Sequence, residues 1–357
     1  MKTTISYYHP PIDTCRLILM FCVCLNLFGV PTAFGGIIQV LLNFAPCAFF
    51  IFSGFLVLSR EQGRGTRIVN AIRRSGITFA AMFVGNLALN LIFETETTLL
   101  MLSSKRFWFD FIVFNNWNLP IGRPMWFVQA IFYAYIFIYI LYRFKLLRYD
   151  WIFIAIFFII AVLTGELSGL IHFNFLGESF IPGNFFTRAI PYILIGHRLR
   201  ILEPILVDAS FEAWWVIAIS LALMVGECFL LNHFNAFTYY GHLIGMAPLS
   251  IALCIGVVTR ITDDETSLPM LSFRHNARLI TYYLCSPVYY FLTMMLNGLQ
   301  ESVANQIAPY MGIAVIVICL TISVIYEVAV FAFWSIKDRK SNLQIDSENS
   351  EDIIDNL

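Results

Sequence analysis

The sequence predicts an all-α fold: a polytopic integral membrane protein of about ten transmembrane helices, with its N and C termini in the cytoplasm. Three observations lead to that class. Hydrophobic residues make up 59% of the chain against 13% charged, and the mean hydropathy is +0.77, too little polar surface to coat a water-soluble globule of this length. Apolar runs long enough to cross about 30 Å of hydrocarbon recur along almost the whole chain, separated by short polar connectors. The 22 basic residues also sort by side. With the N terminus inside, Lys105, Arg106, Arg123 and Arg188 fall outside and the other 18 inside, which sets the orientation by the positive-inside rule.

Gly, Pro and charged residues divide the apolar sequence into spans at 14–30, 36–58, 76–93, 125–142, 151–167, 185–199, 213–231, 239–259, 278–298 and 309–335. The first span lacks a small-residue cleavage site and is followed at once by another, so it reads as a retained helix and not a signal peptide. The second contains the polar notch Ser53-Gly54 within a phenylalanine-rich run and exits into Arg60, Arg64, Arg67, Arg73 and Arg74, the charge expected at a cytoplasmic boundary. Arg73 and Arg74 then open the third span. The longest outer connector, 94–124, carries Trp108 and Trp117, which are expected in the headgroup region.

Pro120, Gly122 and Pro124 precede the fourth span. The sixth is short, contains Arg188 and Pro191 and ends in "GHRLR", which predicts a tilted or broken helix. The seventh and tenth carry Glu227 and Glu327, each costly in a membrane unless it pairs, protonates or faces a wet cavity. Residues 1–336 thus form one membrane domain, and the acidic tail 337–357 is too polar to pack and is expected to be disordered. Most cysteines fall inside apolar runs with no CxxC pair, so reduced thiols and no metal site are expected. The net charge of −1 gives no reason to expect a nucleic-acid partner.

Several segments, in order, resemble the membrane-bound acyltransferase 3 family over about residues 12–335. "FFIFSG" (49–54) matches its FFxxSG pattern, and "DTCRLILMFCV" resembles its first helix with its arginine. "NAIRRSG", "GRPMWFVQAIFYAYIF", "FFTRAIPYILIGHRLR" and "NARLITYYLCSPVYYF" resemble later family segments. The resemblance implies a ten-helix O-acyltransferase. It would move an acyl group, usually acetyl, from cytoplasmic acyl-CoA to a saccharide or glycolipid hydroxyl in cell-envelope polysaccharide synthesis, in a bacterial inner membrane. Membrane lipid, acyl-CoA as co-substrate and a saccharide or lipid-linked glycan acceptor are the partners implied; no permanently bound cofactor is.

The chain departs from the pattern at its histidines. The family's helix-one arginine is followed, after ten intervening residues, by a histidine; eleven steps of about 100° return to one helix face about 16 Å deeper. Arg16 fills the first slot and Leu27 the second. Asn26 points about 80° away, and an amide takes up no proton at neutral pH. Ser286 stands where a later family histidine aligns.

Acyl-CoA contact is assigned to Arg16, Ser53, Arg73 and Arg74, against headgroup contact for the arginines and close helix packing for Ser53-Gly54. Acceptor contact is assigned to Arg123, Trp126 and Arg188, against interfacial anchoring. His242 in "YYGHLIG" and Glu227 are the candidate proton acceptors, against hydrogen-bonded structural roles. Two other readings stand beside the enzyme: a family member that has lost catalysis and binds a lipid-linked sugar, or a polysaccharide transporter or polymerase.

Overall fold

The computed structural model describes residues 10–30, 38–39, 41–58, 62–122, 124–164, 184–206, 210–234, 243–259 and 268–354, and the structural statements below concern these. Helices take up nearly all of them and no strand occurs among them. In chain order the helices are α1 (Pro10–Phe28), α2 (Phe44–Val57), α3 (Arg64–Phe93), α4 (Thr95–Ser103), α5 (Lys105–Phe114), α6 (Met125–Arg143) and α7 (Asp150–Thr164). They continue with α8 (Ile190–Leu206), α9 (Ser210–His233), α10 (Met246–Val258), α11 (Leu268–Asn297), α12 (Glu301–Ile307) and α13 (Met311–Ile354). Seven helical segments among the described residues are long and apolar enough to cross a membrane, and α2 and α10 are shorter apolar helices. The all-helical, polytopic class read from composition is the observed one. Each of the ten apolar runs carries a helix.

Helix boundaries differ from the hydropathy boundaries where helices leave the apolar layer. α3 begins at Arg64 and not near 76, with Arg73 and Arg74 exposed on it. Backbone hydrogen bonding does not stop where lipid stops, so a helix runs on into a polar segment that hydropathy reads as connector. α11 likewise starts ten residues before the run at 278, and α13 is described to Ile354, into the acidic tail for which the sequence predicts disorder.

α2 is the hub. Eleven of its fourteen residues are buried, and it packs against α1, α8 and α10. A helix apolar on every side has no solvent or lipid face to present, and burial among other helices is the expected outcome. Around it, α1 packs with α11 and α13, α3 with α6, α7 with α8, and α9 with α10.

The connector 94–124 folds as α4 and α5, and Trp117 turns inward there. Trp117 is buried against the rings of Phe83, Phe107 and Phe111 at 5.7, 6.0 and 5.4 Å. Its indole N–H donates to the Ile121 carbonyl at 2.7 Å. A partner inside the protein removes the need for water that holds most tryptophans at an interface. Trp108 is exposed, with its N–H on Leu102 O at 2.8 Å.

The sixth span is helical without a gap, but its first turn is irregular. A π-helical turn, Phe185–Ala189, precedes α8, and Asn184 caps it by accepting from Phe186 N and Thr187 N at 3.0 and 3.1 Å. Pro191 has no N–H to give to the turn behind it, so the regular ladder fails there and a wider turn takes its place.

Candidate functional site

Four helices bring polar side chains together at one end of the bundle. Asp13 and Arg16 come from α1, Ser53 from α2, Tyr135 from α6, and Arg278 and Tyr282 from α11. Arg278 Nη1 donates to Asp13 Oδ1 at 3.3 Å, and Arg16 Nη1 lies 3.8 Å from the same oxygen. The Arg16 guanidinium sits over the Phe49 ring, 4.7 Å from its centroid, a cation–π contact that holds the group without using its N–H donors. Tyr135 and Tyr282 are close enough to act electrostatically on Arg16. The Arg16 side chain is 17% exposed and Ser53 is buried, so neither is turned out to lipid.

Of the readings of the Ser53-Gly54 notch, close helix packing is the one seen in the structure. Gly54 meets α8 so closely that a Cβ would collide with the Ile193 carbonyl, and Gly196 of α8 meets the Ile51 carbonyl in the same way. This is the close crossing that small residues permit between membrane helices. Ser53 donates to Phe49 O at 2.9 Å and lies within hydrogen-bonding reach of the Tyr135 phenol.

A second group of polar contacts lies toward the other end of α1. Asn26, next to the Leu27 that fills the histidine slot, donates to Asn43 Oδ1 at 2.8 Å, and Leu27 packs against the core. Ser286 accepts from Gly122 N at 2.6 Å. Gly122 has φ +118, and a side chain there would run into the Trp117 ring. Ser286 thereby pins the turn ahead of Trp126. Ser286→Ala is expected to cost about 1–2 kcal/mol, the penalty of a buried N–H left without an acceptor, as a lower thermal midpoint of the detergent-solubilised protein; an unchanged midpoint refutes the pinning role.

Trp126 is half-buried at the start of α6 and Arg188 is buried in the π-helical turn. Asn115 joins the two segments: its Nδ2 donates to Trp126 O at 3.0 Å and its Oδ1 accepts from Phe185 N at 2.9 Å. Asn115 has φ +48, a left-handed conformation asparagine tolerates at a helix end. Arg188 acts electrostatically on Cys47 of α2. Arg73 and Arg74 lie on the exposed face of α3, outside the Arg16 cluster. Arg123 and His242 lie outside the described residues.

Glu227 accepts from Gly245 N at 3.2 Å, just before α10 begins, where a carboxylate suits unpaired amides and the helix dipole. Asn276 donates to Glu327 at 2.5 Å. Both intramembrane carboxylates thus have partners, as their cost in lipid requires.

One constellation was not legible in the sequence. His197 is buried, and its Nδ1 lies 2.7 Å from Asp150 Oδ2. Asp150 is fully buried at the first turn of α7 and also accepts from Arg198 Nε at 2.6 Å. His197 Nε2 is buried and meets no hydrogen-bond partner among the described residues. An apolar cavity of about 150 Å³, lined by Pro11, Trp214, Ile217, Leu253, Gly256 and Val257, lies between α1, α9 and α10, away from these groups.

Apolar helices crossing around an internal ionic cluster define an integral membrane protein with a polar site inside its helical bundle. The chain belongs to the acyltransferase 3 family: the family model, described as an acyltransferase domain, matches residues 10–328. It is a membrane acyltransferase by family. No curated protein and no solved structure shows a significant match to the chain.

Proposed function

We propose that the chain is an integral-membrane O-acyltransferase that moves an acetyl group from cytoplasmic acetyl-CoA to a saccharide or glycolipid hydroxyl in cell-envelope polysaccharide synthesis, in a bacterial inner membrane. The observation that carries the reading is the inward placement of Arg16 beside Ser53 and Tyr135, with guanidinium donors held off the shared carboxylate. Arg73 and Arg74, exposed on α3, supply positive charge where an anionic donor would arrive, given cytoplasmic termini. Arg123, Trp126 and Arg188 contact the acceptor. In the transfer, the acceptor oxygen attacks the thioester carbon as its proton passes to a base, and the carbon–sulfur bond breaks. The CoA thiolate takes a proton and leaves. His242 is the base in this scheme, and Glu227, already accepting from the start of α10, is the second candidate.

The test is transfer of labelled acetyl from acetyl-CoA to an envelope glycan fraction by the full chain in proteoliposomes. Wild type transfers label, and Arg16→Ala lowers the rate at least about 100-fold, as expected for loss of charge-assisted contacts near 3 kcal/mol. Absence of transfer by the wild type overturns the enzymatic reading.

A second reading is favoured by one observation: the histidine slots hold Leu27, packed in the core, and Ser286, committed to Gly122. A family member without catalysis would bind a lipid-linked sugar at the Trp126 end. Glycolipid binding without acyl transfer in the same assay supports it.

A further inference from the structure

The Arg16 cluster contains more unspent hydrogen-bonding capacity than its own residues use. Arg16 and Arg278 approach one carboxylate oxygen, yet at 3.8 Å the Arg16 contact is too long for a hydrogen bond. Arg16 Nε is buried and has no hydrogen-bond partner among the described residues. Two further buried atoms share that condition, Thr281 Oγ1 and Tyr282 Oη. Both lie within one turn of Arg278 on α11, at the i+3 and i+4 positions that share its face. Tyr282 stacks on Phe127 at 5.5 Å and acts electrostatically on both Arg16 and Arg278. Buried polar atoms are nearly always paired, and several unpaired atoms around two guanidiniums mark a place for an acceptor-rich ligand. The donor set is two guanidiniums and two hydroxyls, with Asp13 between the guanidiniums. A phosphate, with acceptor oxygens and negative charge, matches that set better than a neutral sugar does.

We propose that α1 and α11 form a two-arginine phosphate site in which Arg278, with Thr281 and Tyr282, holds the ligand together with Arg16, and Asp13 aligns the two guanidiniums. The phosphate comes from one of two sources, the nucleotide part of the acyl-CoA donor or the headgroup of a membrane phospholipid. The first source rests on the acyl-CoA reading above, and the second does not.

The experiment titrates the full-length protein, in a neutral detergent, separately with coenzyme A and with dihexanoyl phosphatidic acid, and follows binding by calorimetry. Arg278→Gln is expected to weaken the bound ligand at least about ten-fold, and Arg278→Lys, which keeps the charge and loses the planar fork, about three-fold. Tyr282→Phe lowers affinity to a smaller degree, and Arg106→Gln, on an exposed arginine elsewhere, leaves it unchanged. Thermal unfolding without ligand confirms that each variant is folded, and Arg278→Lys serves if Arg278→Gln is not. Loss of coenzyme A binding in the Arg278 variants supports the site with the donor as its ligand. Loss of phosphatidic acid binding, with no coenzyme A binding by wild type, supports the site and sinks the donor reading. Coenzyme A binding that is equal in wild type and Arg278 variants overturns the α11 site and leaves the donor reading standing. Binding of neither probe overturns both.

Discussion

Gly54→Ala and Gly196→Ala are each expected to destabilise the protein by about 3 kcal/mol or more, the upper range for forcing atoms into a packed interior. The cause is geometric. At each position the new methyl would meet the backbone of the facing helix, Ile193 or Ile51, and not the movable end of a side chain. Relief requires α2 and α8 to separate, and α2 is the helix that α1, α8 and α10 share, so the strain spreads into the core. The measurement is the thermal midpoint of the solubilised protein, with Gly85→Ala as a control, since a Cβ there meets nothing within 4 Å. Gly85→Ala should be neutral or slightly stabilising by helix propensity. Equal midpoints for the three variants would contradict the close crossing.

Asp150→Ala is the second large effect, at about 3 kcal/mol, the low end of the cost of breaking a buried ionic contact. The low end applies because Arg198 is partly exposed and swings away into solvent. The loss falls on the junction of α7 with α8, so cysteine cross-linking or limited proteolysis should register loosening there first. Asp150→Asn, which retains one acceptor, should lose less than Asp150→Ala. The interpretation fails if His197→Phe, which fills the site and removes the polar ring, destabilises more than Asp150→Ala.

Much of the architecture was legible because bilayer crossing imposes a length and an apolarity on the chain that single residues reveal. The irregular first turn of the sixth span was legible in Pro191, whose missing N–H is a local property. The extent of α3 was not, since hydropathy marks the lipid boundary while hydrogen bonding sets the helix end. Of the candidate site, Arg16 and Ser53 were found through their place in recognisable segments, and the structure sets them in one cluster with Tyr135. Arg278 read as one more inner basic residue. Its pairing with Asp13 joins positions 265 apart in the chain, and no periodicity carries that information. The burial of Trp117 was not legible, because composition does not show that Ile121 O would be waiting for its N–H.

By itself the sequence determined that this chain lives in a membrane as an all-helical polytopic protein, and in which order its helices run, because transfer of apolar and charged groups between water and lipid is additive along a chain. Only the tertiary structure decided which polar groups share a dry interior: Arg16 with Arg278, His197 with Asp150, Ser286 with Gly122. Those pairings arise from helix packing over long separations, where the penalty for an unpaired buried group selects partners that no local pattern encodes.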